Sequence, residues 1–314
     1  MSLLAVKRRL FGVLRHKPVL LQEAVQSLNL KPDSVVLDGT LGSGGHSREI
    51  LSLLGPRGLL ISLDRDNDAV LRCAKHYERD ERWVCRQSNF SDADDVLDLL
   101  KIEKLDGALL DLGFSSDQLE SGERGFSFDR PGPLDMRMDA SGGQTAADLL
   151  RDLTRYELEH LFVRFGEERW ARKFAERICL VRSKTPIETT QDLVRVINEA
   201  LPRAYSYPAG KRPPWARHHP ATKVFQALRI AVNQELENLA SALPKIFSRL
   251  KRGGRMSVIS FHSLEDRIVK QQFKAWHIQK QGALIYKKPV EASDAEVNEN
   301  PRSRSAKLRT IEKL

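Results

Sequence analysis

The sequence predicts an α/β fold, a doubly wound and mainly parallel sheet that carries an inserted, mainly α-helical domain. Three observations predict it. Short apolar runs that close on a carboxylate, 35–37 before Asp38 and 59–63 before Asp64, alternate with helix-like stretches, and repeated βα units of this kind build a parallel sheet. The first run is followed by a turn crowded with Gly39, Gly42, Gly44 and Gly45, where the absence of side chains lets backbone approach a ligand. Beyond Gly113 the alternation is lost, and it resumes only at Met256.

Taken in order, Leu20, Leu21, Ala24, Val25 and Leu28 share one helical face. A strand at 35–37 follows, then a helix over 46–54 stopped by Gly55-Pro56-Arg57-Gly58. Next come a strand at 59–63, a helix over 66–77, a short strand at 83–86 and a helix over 92–100. A buried strand at 107–112 ends near Asp111. Residues 113–143 are rich in Gly, Ser and Asp and hold no periodic element. Helical patterns occupy 145–165, 167–181 and 190–201. A later helical stretch runs its apolar face through Val224, Leu228, Val232, Leu236, Leu239 and Leu243, with a break or bend expected at Pro244. A strand at 256–261, a helix over 264–276 and a last strand at 307–312 complete the sheet. The expected organisation is a basic N-terminal arm at 1–17, a sheet domain from 18–118 and 219–314, and a helical insert at 119–218.

Hydrophobic residues make up 41% and charged residues 30% of the 314, which is ordinary for a soluble globular chain with a full core. No apolar run approaches the roughly 18 residues of a membrane span. Cys73, Cys85 and Cys179 are far apart and form no C-x-x-C pair, so neither a disulfide framework nor structural zinc is expected and a reducing cytoplasm is the natural setting. The net charge of +9 suits a polyanionic partner. Its placement is more telling than its size. Residues 203–223 hold Arg203, Lys211, Arg212, Arg217 and Lys223, together with Tyr205, Tyr207 and Trp215, and no acid. Cations that neutralise phosphates beside aromatics that stack on unpaired bases form a single-stranded RNA surface; a solvated, proline-rich loop is the plainer alternative. Lys7, Arg8, Arg9, Arg15 and Lys17 open the chain without an acid. A mitochondrial presequence shares that composition, but the stretch is short and poor in serine.

The glycine turn also selects among ligands. A dinucleotide site wants G-x-G-x-x-G, whereas here Gly42, Gly44 and Gly45 lead into His46, Ser47 and Arg48. The pattern is similar to the first motif of S-adenosylmethionine-dependent methyltransferases, with Thr40 where a glycine is common. Asp64 then lies at the spacing of an acid that accepts hydrogen bonds from ribose hydroxyls. Asp111, in Leu109-Leu110-Asp111-Leu112-Gly113-Phe114, stands where amino-methylating enzymes place an acid or amide followed by Pro-Pro-aromatic. The acid and the aromatic are kept and both prolines are absent.

Longer stretches carry a closer resemblance. They are Asp-Gly-Thr-Leu-Gly-Ser-Gly-Gly-His at 38–46, Glu-Arg-Gly-Phe-Ser-Phe at 123–128, Gly-Pro-Leu-Asp-Met-Arg-Met at 132–138 and Ser-Phe-His-Ser-Leu-Glu-Asp-Arg-Ile-Val-Lys at 260–270. With them, and with 300–305 near the C-terminus, the chain resembles the ribosomal RNA small subunit methyltransferase H family, also called MraW, from about His16 to its end. The resemblance implies a class I S-adenosylmethionine-dependent methyltransferase that modifies N4 of a specific cytidine of 16S rRNA at the decoding centre of the small ribosomal subunit. It implies S-adenosylmethionine as cofactor, no metal, no membrane and a cytoplasmic setting, and leaves homodimerisation open. By it, Gly44, Gly45 and His46 hold the methionine part, Asp64 the ribose and Phe90 the adenine, while Asp111 and Gln118 complete the site.

The catalytic group stays open between Asp111, Asp135 and His262. Asp135 could instead pair with Arg137, and His262 could cap the strand end. Lys211, Arg212, Trp215 and Arg217 are the candidates for RNA contact. Two other readings compete: an NAD-dependent oxidoreductase would share the sheet and Asp64, and a non-catalytic rRNA-binding factor would share the basic surface.

Overall fold

The apolar runs pair side by side as β1 (Val35–Asp38), β2 (Leu59–Asp64), β3 (Trp83–Gln87), β4 (Leu105–Asp111) and β5 (Leu250–Ser260), all parallel. The computed structural model describes residues 17–77, 80–113, 122–128, 130–202 and 219–314. Strands β6 (Gly282–Leu284), β7 (Val290–Glu291) and β8 (Lys307–Lys313) extend the sheet, whose order is β3-β2-β1-β4-β5-β8-β6 with β7 on β8. β8 runs antiparallel to both β5 and β6. This is the doubly wound, mainly parallel sheet expected from the sequence. Consecutive residues such as Val36 and Leu37, Leu60 and Ile61, or Leu109 and Leu110 are all buried. Both faces of β1, β2 and β4 are therefore covered there, which is why these runs are mainly apolar instead of alternating.

β1 pairs with β2 on one side and with β4 on the other, Leu37 lying opposite Ile61 and Ala108. The chain thus leaves β1 first toward one edge and later toward the other. At such a reversal the connecting loops part, and a crevice opens at the carboxyl ends of the strands.

The helices in chain order are α1 (Leu21–Ser27), α2 (Gly45–Leu53), α3 (Asn67–Tyr77), α4 (Ala93–Leu99), α5 (Ala146–Asp152), α6 (Arg155–Gly166), α7 (Ala171–Arg182), α8 (Thr190–Ala200), α9 (Thr222–Asn233), α10 (Glu235–Arg249), α11 (Ser263–Ile278) and α12 (Asp294–Glu299). By contact the chain divides into two units. One is Met1–Asp64, Ala69–Gly113 and Leu243–Leu314; the other is Arg65–Asp68 and Phe114–Ala242. The second unit reaches past the expected insert at 119–218 because α9 packs on α6: a Cβ on Gly166 would lie 2.8 Å from the Lys223 carbonyl. The pattern at 145–165 is two helices. Thr154 starts the second with a capping box to Glu157, as Thr145 does for α5 with Asp148 and Thr189 for α8 with Asp192.

The break expected at Pro244 falls at Gln234 instead, and Pro244 sits inside α10. Gln234 adopts the left-handed conformation, φ 51°. The buried Asn233 side chain fixes the turn, its Nδ2 donating to the carbonyls of Met136 (2.7 Å) and Arg229 (2.9 Å). Its Oδ1 accepts the Met138 N–H at 2.8 Å. Arg229 and Glu235 then pair bidentately across the break, at 2.8 and 2.9 Å. A proline removes one helical hydrogen bond; three side-chain hydrogen bonds of the buried Asn233 set the turn at Gln234 and outweigh it.

Asn233→Ala leaves the Met136 carbonyl and the Met138 amide without their partner. At about 1–3 kcal/mol for each such buried group, the variant should lose about 2–4 kcal/mol in urea unfolding. An unchanged midpoint would mean that Asn233 does not hold this turn.

Candidate active site

β1 ends at Asp38, which is 1% exposed. A carboxylate withdrawn from water needs donors, and it has them. Oδ2 accepts the Ser47 hydroxyl from α2 at 2.6 Å, and Oδ1 accepts the Thr40 amide at 3.1 Å. Ser47 Oγ lies 2.8 Å from Ser62 Oγ of β2, and Trp83 Nε1 of β3 donates to Ser62 at 2.7 Å. An indole N–H only donates and a carboxylate only accepts, so the hydroxyl protons run one way, from Trp83 through Ser62 and Ser47 to Asp38. Burial pushes the Asp38 carboxyl above its ordinary value, and the Ser47 hydrogen bond pulls it back.

The turn after Asp38 is pinned on both sides. Gly39 donates to the Leu109 carbonyl at 2.9 Å, Leu41 to the Leu63 carbonyl at 2.8 Å, and Gly42 to Asp64 Oδ2 at 2.7 Å. Gly44 caps α2 in the left-handed conformation, φ 76°, where glycine carries no steric cost. At Gly45 the reason for glycine is the protein itself: a Cβ there would lie 2.1 Å from Pro18 Cγ. Phe90 borders the same turn, its Cβ 3.1 Å from where a Cβ on Gly39 would sit. It enters a short 3₁₀ turn, Phe90–Asp92, started by the Asn89 side chain accepting the Ser91 N–H.

Asp111 ends β4, and its amide donates to Thr40 Oγ1 at 2.6 Å. The residue that replaces a common glycine therefore joins the ends of β1 and β4. Asp111 Oδ2 faces His46 Nδ1 at 3.5 Å, and Oδ1 is buried with no hydrogen-bond partner among the described residues. His46, only 5% exposed, places Nε2 3.0 Å from the Val19 carbonyl. Burial holds the imidazole below its ordinary value, against the nearby Asp38 charge. Burial also pushes the Asp111 carboxyl up to about 7; the Gly113 amide pulls it down and the Glu265 charge adds to the rise.

Gly44, Gly45, His46, Asp64, Phe90 and Asp111 thus border one turn. Gln118, Lys211, Arg212, Trp215 and Arg217 lie outside the described residues. Asp135 belongs to the second unit and is held bidentately by Arg137, at 2.9 and 2.7 Å. Burial raises its carboxyl, but the Arg137 hydrogen bonds and charge hold it below the usual range. His262 is the N-cap of α11, Nδ1 accepting the Glu265 amide while Glu265 Oε2 accepts the Phe261 and His262 amides. Its Nε2 lies 3.2 Å from Glu265 Oε1. Sequence reasoning missed Val19, Ser47, Ser62 and Trp83. Ser62 left a trace, a hydroxyl inside an apolar strand; a backbone carbonyl such as that of Val19 leaves none.

The model of the MraW methylase family matches residues 13–314. Curated proteins named ribosomal RNA small subunit methyltransferase H are similar over nearly their whole length. That of Syntrophotalea carbinolica is 46% identical, covering 96% of this chain and 99% of its own. That of Thioalkalivibrio sulfidiphilus is 44% identical, covering 95% and 97%. Among solved structures, an rRNA methylase from Streptococcus thermophilus aligns with 96% of this chain and 99% of its own, at 11% identity and a TM-score of 0.43.

A carboxyl raised by folding keeps a proton that the unfolded chain has already released between about pH 4 and 7. Its contribution to stability is therefore lost as pH rises through that window. Asp111→Asn should remove this loss, gaining thermal stability over the unmodified protein at pH 8 more than at pH 4. Melting curves that stay parallel across this range would show that Asp111 is not buried as an acid.

Proposed function

The chain belongs to the MraW methylase family, and on that premise we propose that it methylates the N4 amine of a cytidine in 16S rRNA, at the decoding centre of the small ribosomal subunit. One observation carries the choice of an amine: a carboxyl group with a raised proton affinity, Asp111, closes β4 beside the glycine turn. The name shared by the relatives, ribosomal RNA small subunit methyltransferase H, supports small-subunit rRNA as the substrate, and the setting is the cytoplasm.

The residues around the turn fit a nucleoside cofactor. When bound, S-adenosylmethionine supplies a methyl carbon that the N4 lone pair attacks as the C–S bond breaks with its electron pair left on sulfur. Gly44, Gly45 and His46 at the start of α2 hold the methionine part, Asp64 the ribose, and Phe90 the adenine, with Gln118 completing the site. Asp64 has a second task, because its Oδ2 also holds the Gly42 amide.

The exocyclic amine of cytosine is a weak nucleophile, since its lone pair is delocalised into the ring. Asp111 can accept a hydrogen bond from that amine, favouring a pyramidal nitrogen, and can take the proton that the methylated nitrogen must shed. Asp135 is engaged by Arg137, and His262 by the start of α11, so Asp111 is the group assigned to the chemical step. The basic, aromatic segment 203–223 is assigned to the rRNA.

The decisive experiment is mass spectrometry of 16S rRNA nucleosides from cells with and without the gene. Loss of N4-methylated cytidine is expected, and an unchanged content would overturn the assignment. Asp64→Ala should weaken S-adenosylmethionine binding by about 1.5–3 kcal/mol, the scale of hydrogen bonds to a charged group. Unchanged affinity in calorimetry would remove Asp64 from the site. Replacing Lys211, Arg212 and Arg217 with alanine should weaken rRNA binding and leave cofactor affinity intact. Each lost phosphate contact should flatten the log–log salt slope by about 0.7; a slope equal to that of the unmodified protein would place the RNA surface elsewhere.

A further inference from the structure

We propose that His46 is a positioning residue for proton removal, aiming a bare Nδ1 at Asp111 so that this carboxylate becomes a stronger base. The inference rests on the assignment of Asp111 to the chemical step.

The geometry starts at the Val19 carbonyl. A carbonyl oxygen only accepts, so at 3.0 Å it claims the single N–H of the neutral imidazole for Nε2. Nδ1 is left as a lone pair, and it faces Asp111 Oδ2 at 3.5 Å. While Asp111 is ionised, two acceptors confront each other with no proton between them. A proton on Oδ2 turns the same contact into an O–H···N hydrogen bond. The repulsion before and the bond after both favour the protonated acid.

The carbonyl is itself held in place. Leu20 takes the left-handed conformation, φ 50°, and its amide donates to Glu296 Oε1 at 2.8 Å. Pro18 packs so closely on α2 that only glycine fits at position 45. The segment 18–20 and the glycine turn therefore set the imidazole together.

Among the described residues, the charged groups that act on the pair are acids. Asp38 at the end of β1 and Glu296 of α12 act on His46, and Glu265 of α11 acts on Asp111. Each favours a bound proton, while burial disfavours an imidazolium, so the proton belongs on the carboxyl. In the reaction the amine nitrogen gains the methyl carbon and gives one proton to Asp111 Oδ2. That O–H then donates to Nδ1, His46 stays neutral throughout, and Asp111 later returns the proton to solvent.

The test is the pH dependence of single-turnover methylation of the ribosomal substrate with saturating S-adenosylmethionine. The rate of the unmodified enzyme should rise with pH through an apparent pKa near 7. His46→Gln can still donate to the Val19 carbonyl but offers Asp111 no bare ring nitrogen. Its limb should move down by about one pH unit or more, with a slower plateau. Asp111→Asn should abolish the limb. If Asp111→Asn abolishes the limb but His46→Gln leaves it in place, the role of His46 is overturned and that of Asp111 stands. If Asp111→Asn keeps both rate and limb, the assignment of Asp111 itself falls. Nitrogen-15 spectra of the protein without cofactor, between pH 6 and 8, provide a readout independent of activity and of the folding of any variant. A neutral ring protonated on Nε2 is expected; protonation on Nδ1, or an imidazolium, would overturn the proposal.

Discussion

Asp38 is buried at the end of β1 with a carboxylate that water cannot reach, so every donor it needs must come from the protein. Much of the site follows from how that need is met. Ser47 ties the start of α2 to the strand, and Ser62 and Trp83 extend the chain of hydroxyls and indole across β2 and β3. On the other side the Thr40 amide serves Asp38 while the Thr40 hydroxyl accepts the Asp111 amide. One buried acid therefore aligns three neighbouring strands, and the same turn sets the end of the fourth.

The cost of that arrangement is electrostatic. Asp38, His46 and Asp111 are ionisable groups close enough to act on one another, and burial penalises the charged form of each. Burial holds the His46 imidazole below its ordinary value, and it pushes the Asp38 and Asp111 carboxyls above theirs. A chain that wanted only stability would not collect such groups. Carboxyls whose proton affinity is moved toward neutral pH by burial are the kind a proton-removing site requires.

Particular residues show how far the sequence could be read. The acids Asp38, Asp64 and Asp111 close apolar runs, and those runs are β1, β2 and β4; a strand buried on both faces is legible because apolar residues follow one another in it without alternation. The glycines were legible as a turn, but the reason at Gly45 was not, since its constraint is Pro18, far from it in the chain. Pro244 was a false stop. The real one, Gln234, depends on Asn233 reaching Met136 and Met138, and no local pattern announces a partner so distant. Short strands such as β6 and β7 were missed because so few residues cannot display a period.

The sequence by itself determined the alternating α/β order, the glycine turn with its following acid, and the motifs that place the chain in its family. These are properties of neighbouring residues, written in burial periodicity and backbone permissiveness. Only the tertiary structure decided which groups surround each ionisable side chain. It brings the Val19 carbonyl to His46 and His46 to Asp111, and it withdraws Asp38 and His46 from water. A pKa and a tautomer are set by dielectric surroundings and by partners in space, and neither is carried by any stretch of sequence.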